Sequence, residues 1–418
     1  MIKWLPIGFD EALKKTVDTI TPLGIETVSL SECPGRIASA DLLSKVDSPS
    51  IDASLKDGYA VNSQDIIYAD EKRPVRLTIA GTSAAGDIKT FSPMKPGEAF
   101  RILTGAKLPD GADAVLAEEF VNVEDDNTIT AKNIAEIGRN ILPKGSDVKI
   151  GQRIVKKNQL LTPGFAGILA AAGFSELPVF KQPCVAIIAT GDEVVAPGRP
   201  LPEGKLYASN MVTLSAFCHS YGMKTITVTV KDTADELKKT LIHALDNTDA
   251  IITSGGAWTG DRDLVAKILS DMGWTQIFHR IRIGPGKAVG FGILKEKPIF
   301  ILPGGPPSNL MGFLQIALPG LMKLAGHPVP GLNRKRVQLS SDLHGRDIDW
   351  TQFIFGILDY GGHDDAAVLP VFHSLRQKGR LQSMAEATAI AAIPEGKTVI
   401  TAGSSITVQV ISSSHFII

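Results

Sequence analysis

Three textures of apolar and polar positions follow one another along the chain. In FDEALKKTVDTI, Phe9, Leu13, Val17 and Ile20 recur at helical spacing, with acids in the first turn and Pro22 and Gly24 beyond the end. This pattern predicts an N-terminal amphipathic helix. From Thr27 to about Lys156 the texture changes to short β-like runs such as RLTIAG, AFRIL and DAVLAEEFVNV, split by Gly, Pro, Asp and Asn. These predict one or two small β-rich modules. From about Cys184 to Gly326 come the continuous apolar runs CVAIIAT, TITVTV, DAIITSGG and PIFILPGG, with helical patterns at 210–221, 234–244, 261–272 and 308–324. Such runs predict strands buried on both faces, and the alternation predicts an α/β domain with a mostly parallel sheet and helices on both sides. From Val329 the chain returns to short strands and closes in TVITAGSSITVQVI, a further small β domain.

A length of 418 residues exceeds one ordinary core, so several domains are expected. The net charge of −1 gives no overall positive field for nucleic acid or anionic lipid. The longest nearly apolar stretch, 165–174, is far short of the roughly 20 residues of a membrane span. The opening MIKWLPIGF lacks the pattern of a signal peptide. Cys33, Cys184 and Cys218 are few and widely spaced, which fits a reducing, cytoplasmic setting and small buried hydrophobes. HExxH, CxxC, GxSxG and a full phosphate-binding P-loop are absent, and the eight histidines show no metal-ligand spacing.

Ligands of open parallel sheets bind beyond the carboxyl ends of the strands. Those ends read Gly191-Asp192-Glu193 after CVAIIAT, Lys231-Asp232 after TITVTV, SGGAWTGDRD (254–263) after DAIIT and PGGPPSN after PIFIL, with GPGKAVGFG (284–292) between the last two. Glycine turns and helix caps account for any one of these loops. Together they gather Asp192, Glu193, Asp232, Asp261, Asp263 and Lys287 at one edge of one sheet. Glycine-loop N–H groups and a helix N-terminus favour an anion, while clustered carboxylates favour a hard cation such as Mg²⁺ that bridges to phosphate oxygens. Asp and Glu also accept hydrogen bonds from heterocycle N–H edges. The combination points to a phosphorylated heterocycle with Mg²⁺, Lys287 adding a point charge for phosphate.

The same segments belong to a longer set that includes SLKDGYAV (54–61), RILTGAKLPDGADAVLAEE (101–119), GRNILPKGSDV (138–148), ATGDEVVAPG (189–198), LPGGPPSN (302–309) and LQSMAEATAIAAIPEG (381–396). On these the chain resembles the molybdopterin molybdenumtransferase family, which includes bacterial MoeA and the E domain of gephyrin. The resemblance implies a discontinuous linking domain (1–45 and 140–180), a β-rich lever domain (46–139), a molybdopterin-binding α/β domain (181–326) and a C-terminal β-barrel-like domain (327–418). It implies insertion of molybdate into adenylyl-molybdopterin with Mg²⁺ and release of AMP. A homodimer is implied, with its cleft between the pterin domain of one subunit and the lever of the other. A molybdopterin adenylyltransferase would supply the substrate and target molybdoenzymes would receive the product. Carried over residue by residue, the catalytic set is Asp57, Thr104, Asp147, Glu193, Asp232, Asp263 and Lys287. Cofactor contacts fall on Gly191, Asp192, Gly255, Gly256, Pro285, Gly286, Pro303, Gly304 and Ser383, and Asp232 with Asp263 are the metal ligands, Asp261 remaining a helix cap.

Several positions depart from the family pattern. Trp258 stands where SGGxS has serine, Gly284 where KPGKP has its first lysine and Gly305 where PGNP has asparagine. Ser146 replaces the acid of GED, Phe355 the arginine of FxR, and 385–389 reads AEATA in place of AxANG. A missing lysine and arginine remove two charge-assisted contacts to an oxyanion, each contributing about 1.5–3 kcal/mol. Arg262, Arg280 and Arg282 lie beside the same loops and are the candidates to replace them. The departures admit a tungstate-inserting variant or a non-catalytic molybdopterin carrier as alternatives.

Overall fold

The computed structural model describes residues 7–86, 92–255, 264–361, 369–375 and 380–411. The apolar runs of the middle region form one six-stranded sheet: β1 (Cys184–Thr190), β2 (Lys224–Val230), β3 (Ala250–Ser254), β4 (Thr275–His279), β5 (Gly290–Leu294) and β6 (Lys297–Leu302). Their spatial order is β2-β1-β3-β6-β5-β4. The first four in that order run parallel, as the βα alternation requires, and β5 and β4 add an antiparallel edge. The second strand of that hairpin begins inside the glycine-rich run 284–292, which carries no strand period. One expectation is corrected: TITVTV is not buried on both faces. It forms the edge strand β2, most of whose side chains are exposed or half-buried, and its alternating threonines suit that solvated position.

Helices α1 (Ser209–Ser220), α2 (Ala234–Asn247) and α3 (Leu264–Asp271) cover the sheet. Leu214 and Cys218 of α1 pack on one face with Phe313 and Leu321; Leu237 and Leu241 of α2 and Val265 and Leu269 of α3 pack on the other, against Ile188 and Ile301. After β6 the chain runs through helix Pro306–Gly312, a π-helical turn Phe313–Ala317 and helix Leu318–Leu324. The N-terminal helix Phe9–Thr19 lies against this last segment. Its buried positions are Phe9, Ala12 and Thr16, continued by Ile20, so the stripe is rotated slightly from the one its largest side chains suggest. The close approach works because residue 320 is glycine.

The C-terminal strands Arg334–Leu339, Thr351–Asp359, Val371–Ser374, Ala389–Ile393 and Ser405–Val410 close into a five-stranded barrel, since Thr351–Asp359 pairs with both Val371–Ser374 and Ala389–Ile393. Barrel and sheet share one core that includes Phe300, Phe313, Phe353 and Ile390. Phe9 meets Phe353 edge-on at 5.1 Å, a contact that adds about 0.5–1.5 kcal/mol beyond burial. Gln315 of the π turn, 1% exposed, exchanges two hydrogen bonds with Gln409 of the barrel, at 2.7 and 3.0 Å. The short strand Ile281–Gly284 pairs in parallel with Ile7–Gly8 on one side and with Thr351–Asp359 on the other.

In the first half of the chain, six strands form a separate mixed sheet around Tyr59, Val61, Leu77, Leu116 and Ile129. On either side of it the chain comes back together: Ala53–Ser54 pairs with Ile141–Leu142, Leu42–Leu43 with Arg153–Val155 and Ile25–Ser29 with Glu176–Phe180. Among the described residues no helix is long and apolar enough to cross a membrane.

Two measurements follow. A Cβ at residue 320 would stand 2.6 Å from Phe300 Cζ and 2.9 Å from Ile20 Cδ1. Gly320→Ala is therefore expected to destabilise by about 1–3 kcal/mol, read as a lower urea midpoint. His279 is fully buried at the end of β4, and burial, then the neighbouring Arg280 charge, depress its pKa from 6.5 to about 4. Between those values the unfolded chain binds a proton that the folded chain does not, so stability falls as pH drops from 6.5 towards 4. The thermal midpoint should decline over that window, and less steeply in His279→Gln.

Candidate active site

From β1 the chain returns through α1 to β2 on one side, then crosses to β3 on the other side of β1. The carboxyl ends of β1 and β3 are therefore the topological switch point, where connections diverge and leave a crevice. A cavity of about 820 Å³ opens there. Thr190 and Glu193 after β1, Ser254 and Gly255 after β3, Tyr207 and Asn210 at the start of α1 and Gly304 after β6 line it, and Leu381 and Gln382 of helix Arg380–Glu386 reach it from the barrel side. Thr190 is buried and its Oγ1 has no hydrogen-bond partner among the described residues. Two asparagines fix the wall. Asn210 Nδ2 donates to Gly304 O (2.8 Å), and Asn309 Nδ2 donates to Pro303 O (2.9 Å) and Ser254 Oγ (3.0 Å). Residue 255 has φ +109°, and a Cβ there would stand 2.5 Å from Thr190 O, so the turn after β3 needs its glycine.

Beside this cavity Asp192, Glu193 and Asp232 form an acidic corner. Asp232 N–H donates to Asp192 Oδ1 (3.3 Å), bringing the two acidic loops together. Burial, then the Asp192 and Glu193 charges, push the Asp232 carboxyl above its usual range. Lys205 Nζ, the cation at hand, donates to the backbone oxygen of Asp192 (2.7 Å). Among the described residues no three His, Cys, Asp or Glu side chains converge on one metal-sized position. Gly256 and Asp263, expected at this edge, lie outside the described residues, as do Trp258, Asp261 and Arg262.

A second cavity, of about 970 Å³, lies where the 280–289 excursion between β4 and β5 meets the barrel. Pro285, Gly286 and Lys287 line it with Pro303, Gly304, Gly305 and Ser308, and the barrel side adds Arg346, Asp347, Trp350, Gln352 and Phe353. Its charged groups are thus Arg280, Lys287, Arg346 and Asp347. Gly304 borders both cavities. Of the arginines expected to replace the missing cations, Arg280 lines this cavity. Arg282 does not: it pairs with Glu395 (3.1 Å) and its Nε donates to Asp349 O (3.1 Å). Arg346 and Trp350 carry no local sequence signal, since their loop follows a two-residue strand outside the central sheet. Only the register that sets Gln352 opposite Gly284 brings that loop to the Lys287 turn.

The other expected residues are dispersed. Asp57 Oδ1 accepts hydrogen bonds from Thr104 N (2.7 Å) and Oγ1 (2.8 Å), and these, the backbone bond foremost, hold its carboxyl below the usual range. Asp147 is exposed, its N–H donating to Ser48 O (3.0 Å). Asp57, Thr104 and Asp147 line neither cavity of their own chain. Ser383 donates to Leu375 O (3.1 Å), and it is its neighbours Leu381 and Gln382 that reach the switch-point cavity.

Comparison with known proteins agrees with this layout. The family model of the MoeA N-terminal region (domain I and II) matches residues 7–173, and that of the probable molybdopterin binding domain matches residues 186–323. A molybdopterin molybdenumtransferase of Haemophilus influenzae is 35% identical over 77% of this chain and 78% of its own length. Molybdopterin molybdenumtransferase 2 of Mycobacterium tuberculosis is 31% identical over 91% of this chain and 94% of its own. A solved molybdopterin biosynthesis MoeA protein from Pyrococcus horikosii, 32% identical, superposes with a TM-score of 0.82 over 98% of this chain and 100% of that one. The family matches, the relatives and the superposed fold agree: the chain belongs to the molybdopterin molybdenumtransferase, or MoeA, family.

Proposed function

We propose that this chain, a transferase of molybdenum cofactor biosynthesis, inserts molybdate into adenylylated molybdopterin and releases AMP. One observation carries the reading: two unlike cavities adjoin at Gly304. The switch-point cavity is largely apolar with a few hydrogen-bonding groups, which suits a heterocycle. The other is bordered by three cations, which suits a small oxyanion. In this reading Glu193 accepts from the N–H edge of the pterin, and the Thr190 hydroxyl and Asn210 orient the ring. The dithiolene faces Gly304 and the second cavity, where Lys287, Arg280 and Ser308 hold the oxyanion. The two dithiolene sulfurs form metal–sulfur bonds as one oxo group leaves as water with the two thiol protons, and a second water cleaves the phosphoanhydride to free AMP. The residues contribute by positioning and by fixed charge.

The Asp232 carboxyl, pushed above its usual range by burial and then by the Asp192 and Glu193 charges, stands with those acids in a hard-oxygen corner where Mg²⁺ would offset the repulsion. Asp232 and Asp263 would hold the ion, with Asp192 and Glu193 beside them, and when bound it would neutralise phosphate oxygens. The reading also places the chain in the cytoplasm as a homodimer, Asp57, Thr104 and Asp147 of the 46–139 lever and the 1–45/140–180 linking unit facing the 181–326 domain of the partner. An adenylyltransferase supplies the substrate and molybdoenzymes take the product.

Purified protein with adenylyl-molybdopterin, Mg²⁺ and molybdate or tungstate is expected to release AMP and yield metallated cofactor, measured by chromatography and mass spectrometry. AMP release with neither oxyanion would sink the reading; a preference for tungstate would fix the metal differently. Lys287→Ala should raise the KM for the oxyanion about tenfold, the worth of one charge-assisted hydrogen bond. Turnover at saturating oxyanion should persist.

A further inference from the structure

We propose that Arg346 is an oxyanion-binding residue contributed by the barrel, with Gln352 the positioning residue that holds it in place. The proposal rests on the reading of the Lys287 cavity given above.

Arg346 borders that cavity with an exposed side chain, and its guanidinium makes no ion pair or hydrogen bond among the described residues. An unpaired surface arginine is ordinarily a solvated charge on a loose loop. Here the loop is fixed through its backbone at every residue from 345 to 349. Gly345 N–H donates to Thr398 O (2.6 Å), Arg346 N–H to Gln352 Oε1 (2.6 Å), Gln352 Nε2 to Asp347 O (2.9 Å), Gly396 N–H to Ile348 O (2.7 Å) and Arg282 Nε to Asp349 O (3.1 Å). Five backbone anchors fix the loop and leave the Arg346 guanidinium uncommitted, with the Asp347 carboxylate beside it on the cavity wall. A guanidinium on a rigid mount loses less freedom on binding than one on a mobile loop, which is how a preorganised anion contact gains affinity.

Gln352 is the hub. It is 7% exposed, and its amide satisfies both polar ends by clamping the residues on either side of the Arg346–Asp347 peptide. Gly345 admits it: a Cβ there would stand 2.6 Å from Gln352 Nε2. On its other side Gln352 is in register with Gly284 of the oxyanion turn, whose missing side chain leaves Gln352 Cγ 3.7 Å from the position of a Cβ. The cation lacking at residue 284 is thus made good from across the cavity. The same buried amide that spans this register carries the arginine that faces Lys287.

The test uses the full-length protein and molybdate or tungstate as titrants, by calorimetry, alongside KM and kcat for the oxyanion. Arg346→Ala is expected to weaken oxyanion binding about tenfold or more and to raise KM, with kcat at saturation within about threefold. Arg346→Lys should recover part of the loss. Gln352→Ala should weaken binding by several-fold with unaltered charge, and Arg336→Ala, a barrel arginine hydrogen-bonded to Ser405 and outside the cavity, is the net-charge control. If wild type binds and turns over while Arg346→Ala binds equally well, or if Arg336→Ala loses as much, Arg346 is an ordinary surface charge and the inference fails alone. If wild type binds neither oxyanion, the inference and the reading of the cavity fall together. Unchanged thermal unfolding of Arg346→Ala keeps the comparison clear of misfolding.

Discussion

The arrangement of the second half of the chain turns on a four-residue strand. Ile281–Gly284 leaves the central sheet after β4 and is gripped in parallel on both sides, by Ile7–Gly8 and by the barrel strand Thr351–Asp359. Backbone pairing fixes register in steps of one residue, so this strand sets the N-terminus, sheet and barrel relative to one another. It also begins directly after Arg280 and ends three residues before Lys287. Arg280 and Lys287, the two of the excursion's three cations that line the second cavity, flank this strand, and backbone bonds from Arg280 N–H to Val289 O (2.9 Å) and from Ile281 N–H to Lys287 O (3.1 Å) fix the turn that carries them. The shared core of Phe300, Phe313, Phe353 and Ile390 then makes the junction resistant to shear.

The charge layout follows from that junction. Acids cluster at the ends of β1 and β2, inside the α/β domain, while cations gather where that domain meets the barrel. Had both sets shared one wall they would pair and neutralise each other. Gly304 lies between the two sets, bordering both cavities.

How much of this was legible in the sequence depended on whether the signal was local. The alternating apolar runs announced β1, β3 and β6, and the glycine turns after them marked Gly191, Gly255, Pro303 and Gly304, because buried parallel strands and tight turns leave local signatures. The antiparallel hairpin of β4 and β5 was missed because glycines interrupt its period. TITVTV was misjudged because β-branched residues suit an edge as well as a centre. Arg346, Trp350 and the duties of Arg282 were out of reach, since they depend on pairing between residues nearly seventy positions apart. Asp57, Thr104 and Asp147 came from the resemblance to a family alone, and they line neither cavity of this chain.

The reciprocal amide pair of Gln315 and Gln409 carries a consequence for how this protein can vary. Each glutamine satisfies the donor and acceptor of the other, Gln315 buried and Gln409 half-buried, across the boundary between sheet and barrel. Loss of Gln409 strands the polar atoms of buried Gln315 away from water, whereas two apolar replacements of matching shape leave nothing unsatisfied. The two positions can drift singly only through a disfavoured intermediate, so the histories of the π turn and the last barrel strand are tied, and a chimera that took its barrel from a distant relative would have to inherit both residues or neither.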